Sequence, residues 1–283
     1  MPRLSRWESV TGLSILIFLG VLIAAGIPDA SPEPLQIVAP LSADEQRLDL
    51  IEHMVDSSVK VLYGRGHGSG VLFVRGENVY VLTAAHVVED RRPMLRPWLY
   101  IPDEEASATK RTYGKRTIFI QRHRQDETTF KEHMYIAELV VVDGHTDAAV
   151  LQIMHARPEH FPSLDGGAVF DLRNNKSLRP GMKTIHVGNF MDNIEAVTEG
   201  IIANPQQPMA DGVPPLPDFR VLLTTNMVAP GSSGGGVYLE SNGKLIGIVV
   251  RTSLRPGEAY SIPIYEIDQW LNSISEEMAA LLE

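Results

Sequence analysis

From Ser58 to Pro263 the chain is a succession of short apolar or alternating runs, cut by glycine, proline and asparagine before any can become a long helix. Runs at Ser58 to Tyr63, Gly68 to Arg75, Asn78 to Thr83, Thr117 to Gln121, Tyr135 to Val142 and Ala148 to Ile153 are followed by others at Thr184 to Val187, Ala196 to Ala203, Val221 to Thr225, Val237 to Leu239, Lys244 to Val250 and Ala259 to Pro263. Each reads as a strand, and many short strands in series predict an all-β sandwich or barrel. Gly76-Glu77-Asn78 joins two of them, and that hairpin delivers His86 at its end.

The flanks differ from this core. Thr11 to Ile27 carries no charge and follows Arg3 and Arg6. At ~1.5 Å per residue such a helix reaches roughly 25 Å, against a hydrocarbon core of about 30 Å. The arginines before it favour a cytoplasmic N-terminus with everything downstream outside the cytoplasm. The expectation is a single-pass anchor at 1–27; a cleaved signal peptide ending near Ala24-Ala25-Gly26, which would leave the protein secreted or periplasmic, and a buried core helix are the alternatives. Residues 28–41 contain Pro28, Pro32, Pro34 and Pro40 and read as an extended linker. Residues 42–283 form the expected folded domain. Ser42-Ala43-Asp44-Glu45 is a capping box, and Leu48, Ile51 and Val55 follow at helical spacing. Ala203 to Asp218, rich in proline, reads as a surface loop, and Tyr265 to Leu282 as an amphipathic helix with Ile267, Leu271, Ile274, Met278 and Leu281 on one face.

Composition removes several function classes. A net charge of −10 argues against nucleic acid as the main partner, since phosphate is bound through clustered Lys and Arg. Lys110, Arg111, Lys115, Arg116, Arg122 and Arg124 do form one basic cluster, which reads as a solvated hairpin or as a contact surface for acidic lipid or a partner. There is no cysteine, so thiol catalysis, disulfides and Cys-ligated metals are excluded. No His-Glu-x-x-His spacing occurs, and no metal or organic cofactor is expected.

The chemistry concentrates at Gly231-Ser232-Ser233-Gly234-Gly235-Gly236, between two apolar runs. Its glycines permit positive φ and close approach of a ligand, and they present two hydroxyls at a bend. A serine hydroxyl needs a base, and the base needs an orienting group. His86 and Asp147, at the ends of strand runs, supply them. Ser232 rivals Ser233 as nucleophile, and Asp143 rivals Asp147, although Asp143-Gly144 reads as a turn. His123, His133, His145, His155 and His186 read as surface or core histidines.

The order His, Asp, Ser resembles that of the chymotrypsin-type proteases. The resemblance is most specific to trypsin-like proteases of the HtrA/Deg type, through Gly68-Ser69-Gly70-Val71, Leu82-Thr83-Ala84-Ala85-His86-Val87-Val88, Thr146-Asp147-Ala148-Ala149-Val150-Leu151, Gly181 to Gly188, Val197-Thr198-Glu199-Gly200-Ile201, Pro230 to Gly236, Lys244-Leu245-Ile246-Gly247-Ile248 and Ser261-Ile262-Pro263-Ile264. It implies two six-stranded antiparallel barrels, with His86 and Asp147 from the first and Ser233 from the second. It also implies peptide-bond hydrolysis of polypeptide substrates through an acyl-enzyme, with the backbone N–H groups of Gly231 and Ser233 as the oxyanion hole. Ser233 is the serine followed by two glycines, as that pattern requires. The resemblance puts the floor of the specificity pocket at Met227, with Arg251 or Thr252 on the opposite wall, and predicts cleavage after small or medium apolar residues.

Two departures stand out. Ser232 occupies a position that is usually Asn in the HtrA type and Asp in digestive enzymes, so activation by a freed N-terminus is not expected. With only a short stretch after Ile264, the PDZ domain common in the family is not expected here. Homotrimers are usual in the HtrA type, but no residue pattern here carries one. The rival readings are a protease-like domain without turnover and a membrane-anchored assembly protein.

Overall fold

The computed structural model describes residues 42–88, 118–126, 129–144, 146–161, 177–190, 193–208, 220–252 and 257–274. The anchor and linker expected at 1–27 and 28–41 lie outside them, as do Lys110, Arg111, Lys115 and Arg116 of the basic cluster and the end of the C-terminal helix expected beyond Ile274. Among the described residues no helix is long and apolar enough to cross a membrane.

Twelve strands close into two antiparallel barrels. The first is built from β1 (Ser58–Tyr63), β2 (Gly66–Arg75), β3 (Asn78–Ala84), β4 (Ile118–Asp126), β5 (Thr129–Asp143) and β6 (Ala148–Ile153), ordered β1-β2-β3-β6-β5-β4. The second takes β7 (Lys183–Phe190), β8 (Asn193–Pro208), β9 (Arg220–Thr224), β10 (Gly236–Leu239), β11 (Leu245–Thr252) and β12 (Ala259–Pro263), ordered β10-β11-β12-β9-β8-β7. Closure leaves no sheet edge, so each backbone row finds a partner despite the short strands.

Helix α1 (Ala43–Asp56) starts at the expected capping box: Ser42 Oγ accepts from the Glu45 N–H at 3.2 Å, and Glu45 Oε2 accepts from the Ser42 N–H at 2.7 Å. Its buried face is not quite the expected one. Met54 is buried and Leu50 and Val55 pack against the core, while Leu48 is 61% exposed. Arg47 fastens the helix to the second barrel through Glu199 and Glu240. At the other end α3 (Ile264–Ile274) buries Ile264, Ile267 and Leu271 in the same cluster. That cluster joins Phe73 and Leu82 of the first barrel to Ile185 and Ile248 of the second, so the two barrels share one apolar interface.

Two expectations need correction. The strand expected to stop at Ala203 runs on to Pro208, pairing Asn204↔Leu223, Gln207↔Val221 and Pro208↔Arg220 across register shifts. Bulges are where a ladder tolerates proline, which explains why Pro205 and Pro208 do not end the strand. Arg122 is 3% exposed, not solvated: its guanidinium lies 3.3 Å from Asp56 Oδ1 and 5.2 Å from the centre of the Phe161 ring. A desolvated cation needs both kinds of partner.

Candidate active site

Pairing of β3 with β6 runs from Tyr80↔Gln152 to Ala84↔Ala148, which brings the residue after β3 against the residue before β6. Ala85 N–H donates to the Asp147 carbonyl at 2.9 Å. His86, in the four-residue α2 (Ala85–Val88), donates its backbone N–H to Asp147 Oδ1 at 2.9 Å, and its Nδ1 lies 2.7 Å from Oδ2. A carboxylate oxygen accepts, so Nδ1 is the nitrogen that carries the proton here, and in the neutral tautomer this selects, the lone pair is on Nε2.

Asp147 is held in the left-handed region, with φ 57°, where a residue with a side chain is uncommon. Asp143 stabilises the turn that holds it: its Oδ2 accepts from the Thr146 N–H at 3.0 Å and the Thr146 hydroxyl at 2.8 Å. Asp143 therefore braces the loop that presents Asp147.

The serine loop is built from two turns. Ala229-Pro230-Gly231-Ser232 has the residue pattern of a type II turn, with Gly231 at φ 100° and Ser232 N–H donating to the Ala229 carbonyl at 2.9 Å. Buried Ser232 stiffens it further, its Oγ accepting from the Ala229 N–H at 3.2 Å. The second turn closes with Gly235 N–H to the Ser232 carbonyl at 2.9 Å, and Gly234 N–H reaches the Val249 carbonyl at 2.6 Å. The amides of Ser232, Gly234 and Gly235 are thus committed, while those of Gly231 and Ser233 have no partner among the described residues.

What fixes this loop is largely the other barrel. Ser69 of β2 donates its N–H to the Ser233 carbonyl at 2.7 Å, donates its hydroxyl to the Gly231 carbonyl at 2.7 Å, and accepts from the Asn189 N–H at 2.7 Å. Its own carbonyl accepts from Thr83 Oγ1 at 2.7 Å. Gly234, at φ 86°, must be glycine because a Cβ there would strike the Ser69 carbonyl oxygen and Thr83 Oγ1. A Cβ at Gly68 would lie 2.8 Å from Val87 Cγ1 and 2.9 Å from the Ser233 carbonyl oxygen, so the chain beside His86 and the chain at Ser233 meet over one glycine. Ser233 and His86 are not joined by a hydrogen bond; in the free state of such sites that contact is often long and tightens with substrate.

Underneath lies a buried polar layer. His186 is fully buried, its Nδ1–H donating to the Gly236 carbonyl at 3.0 Å, and desolvation pushes its pKa down to about 4, so the ring is neutral. His186 Nε2, Asn189 Nδ2 and His67 Nε2 are buried without partners, at a cost of about 1–3 kcal/mol apiece.

Beside Ser233 opens a cleft of about 210 Å³ whose walls include Val228, Ala229, Val249, Val250, Arg251 and Thr252. Met227 does not line it: its side chain is 64% exposed, and Val228 takes the wall. Of the histidines set aside, His133 is exposed and stacks on Tyr135, and His155 is exposed. His145, and the side chain of His123, lie outside the description. Ser69, Asn189 and His67 were not singled out by sequence. A signal for the first and last exists in Gly66-His67-Gly68-Ser69-Gly70, where alternate glycines in a strand mark close approach of another backbone.

Comparison with known proteins agrees with this geometry. A family model described as the trypsin-like peptidase domain matches residues 68–248, a span that contains His86, Asp147 and Ser233. HhoB of Synechocystis sp., described there as a candidate serine protease, is 27% identical over 204 residues, which cover 71% of this chain and 38% of HhoB. The chain therefore spans well under half the length of that relative. The crystal structure of Deg5 superposes with a TM-score of 0.55 at 18% identity, covering 81% of this chain and 94% of the Deg5 chain, and shows the shared fold. Two closed six-stranded barrels, and a family model matched over residues 68–248, more than half of the sequence, place this chain in the trypsin-like peptidase domain family.

Proposed function

We propose that the protein is a serine endopeptidase of the HtrA type, cutting polypeptides through an acyl-enzyme. The observation that carries the reading is the grip of Asp147 on His86, with one carboxylate oxygen on the backbone N–H at 2.9 Å and the other on Nδ1 at 2.7 Å. This fixes both the tautomer and the direction of the ring. His86 Nε2 takes the Ser233 hydroxyl proton as Oγ bonds to the scissile carbonyl carbon and the π electrons move onto oxygen. The unpaired Gly231 and Ser233 amides receive that negative charge, a contribution of about 2.7–4 kcal/mol per donor in such sites. Collapse of the intermediate expels the amine, which takes its proton from His86. Water then repeats the sequence and frees the acyl group. No step needs a metal or an organic cofactor.

The apolar walls at Val228, Ala229, Val249 and Val250 favour a small or medium apolar side chain in the cleft. Thr11 to Ile27 supports an N-terminal anchor with the peptidase outside the cytoplasm. The test is to incubate the full chain in mild detergent with unfolded casein and a fluorophosphonate probe, beside Ser233→Ala. The parent is expected to label and cleave and the variant to do neither, a loss on the order of a millionfold in turnover. Two folded but inert proteins would sink the proposal.

A further inference from the structure

An oxyanion donor poses a structural problem. Its N–H must stay unpaired until substrate arrives, so no hydrogen bond to that N–H can aim it. Gly231 shows the difficulty plainly. Its carbonyl is held by Ser69 Oγ at 2.7 Å, but its amide has no partner among the described residues, and its φ is 100°. Glycine accepts either sign of φ at little cost, so the peptide between Pro230 and Gly231 would be free to turn. The bonds on either side, at Ala229, Ser232 and the Gly231 carbonyl, anchor its ends, and packing against the α-carbon must do the rest.

Two groups pack on Gly231: the Asn189 carbonyl oxygen, which is backbone, and the His67 ring, which is the one side chain among its nearest neighbours. A Cβ at position 231 would lie 2.8 Å from His67 Nε2 and 3.2 Å from its Cδ2, and would also strike the Asn189 carbonyl oxygen. The imidazole edge is thus against the Gly231 α-carbon, and Nε2 is buried there without a partner. His67 also belongs to the stretch of β2 that sets the rest of the loop, since Ser69, two residues on, bonds both Gly231 and Ser233. We propose that His67 is a positioning residue for the oxyanion donor: its ring fills the space against Gly231 and keeps that amide directed at the cleft. The inference rests on reading the Gly231 and Ser233 amides as the oxyanion hole. It assigns His67 a role through volume, with its nitrogen incidental.

The test uses the full chain in mild detergent, a fluorogenic peptide copied from a mapped casein cleavage site, and the matching peptide aldehyde, whose hemiacetal with Ser233 places its oxygen in the hole. His67→Ala is expected to lower kcat about 10- to 100-fold with KM unchanged, because misplacing a group by about 1 Å can cost a hundredfold. Aldehyde affinity should fall by the same factor, while the amine-side product peptide, which brings no carbonyl oxygen to the hole, binds as before. His67→Phe, which restores a ring without the buried nitrogen, should recover most of kcat and melt no lower than the parent. His67→Asn should move in the same direction as alanine and decides the matter if alanine does not fold. Wild-type kcat in both His67→Ala and His67→Asn overturns the inference, and so does a loss that phenylalanine fails to restore or that weakens product peptide and aldehyde equally. A folded parent inert toward peptide and fluorophosphonate would instead remove the oxyanion reading itself, and this inference with it.

Discussion

Ser69→Ala tests whether the first barrel really sets the serine loop of the second. Removing the hydroxyl leaves two backbone groups without their partner at once, the buried Asn189 N–H and the half-buried Gly231 carbonyl, each now bonded to Ser69 Oγ at 2.7 Å. Ser69 is 0% exposed. Orphaning a buried polar group costs about 1–3 kcal/mol and a half-buried one less, so about 3 kcal/mol is expected for the pair. Since the loop can escape that cost by shifting Gly231, turnover should suffer as well. The ceiling is the loss of one oxyanion donor, on the order of 10²–10³ in kcat. Urea unfolding of the full chain in detergent gives the stability and peptide hydrolysis gives kcat. Ser69→Cys, with a weaker donor in the same place, should fall between parent and alanine. A Ser69→Ala protein with the parent's midpoint and kcat would refute the reasoning, for it would mean that neither hydrogen bond constrains the loop.

Other outcomes follow from the same geometry. Asp147→Asn should keep the fold but lower kcat by roughly 10⁴, because the amide stabilises the wrong imidazole tautomer; peptide hydrolysis beside circular dichroism checks it. His186 has its folded pKa lowered to about 4 from the 6.5 of a free histidine, so between those values the unfolded state binds a proton that the folded state does not. Stability should therefore be indifferent to this group above pH ~6.5 and fall as pH drops through the window, by about 2 kcal/mol near pH 5. Comparing urea midpoints of the parent and His186→Gln across that range isolates the effect, and parallel curves would refute it. Gly234→Ala should cost at least about 3 kcal/mol and abolish activity, combining positive φ with a clash against Ser69 and Thr83. Gly243→Ala, at φ 68° but only 3.1 Å from a Leu50 methyl, should cost about 1 kcal/mol and leave hydrolysis unchanged by the same two assays.

How much of this was legible beforehand depends on range. Local signals carried well: short apolar or alternating runs located every strand among the described residues, and the capping box at Ser42 and Glu45 started α1 where expected. They failed where a local rule met a longer-range one. Prolines 205 and 208 read as a loop, yet bulged pairing with β9 carries the strand through them. Arg122 read as a surface charge, yet Asp56 and Phe161, distant in sequence, make its burial tolerable.

The same division runs through the site. The sequence by itself determined the candidates for the proposed chemistry, a histidine just after a strand, an aspartate just before one and a serine among glycines, because each is a pairing of residue type with a local backbone shape. It could not show that Asp143 serves Asp147, that Ser232 braces its own turn, or that Met227 is left outside the cleft while Val228 lines it. Nor could it show that Ser69 and His67, on a strand of one barrel, set the loop on the other. Those are contacts between residues about 160 positions apart, and only closure and docking of two barrels bring them within hydrogen-bonding and van der Waals reach.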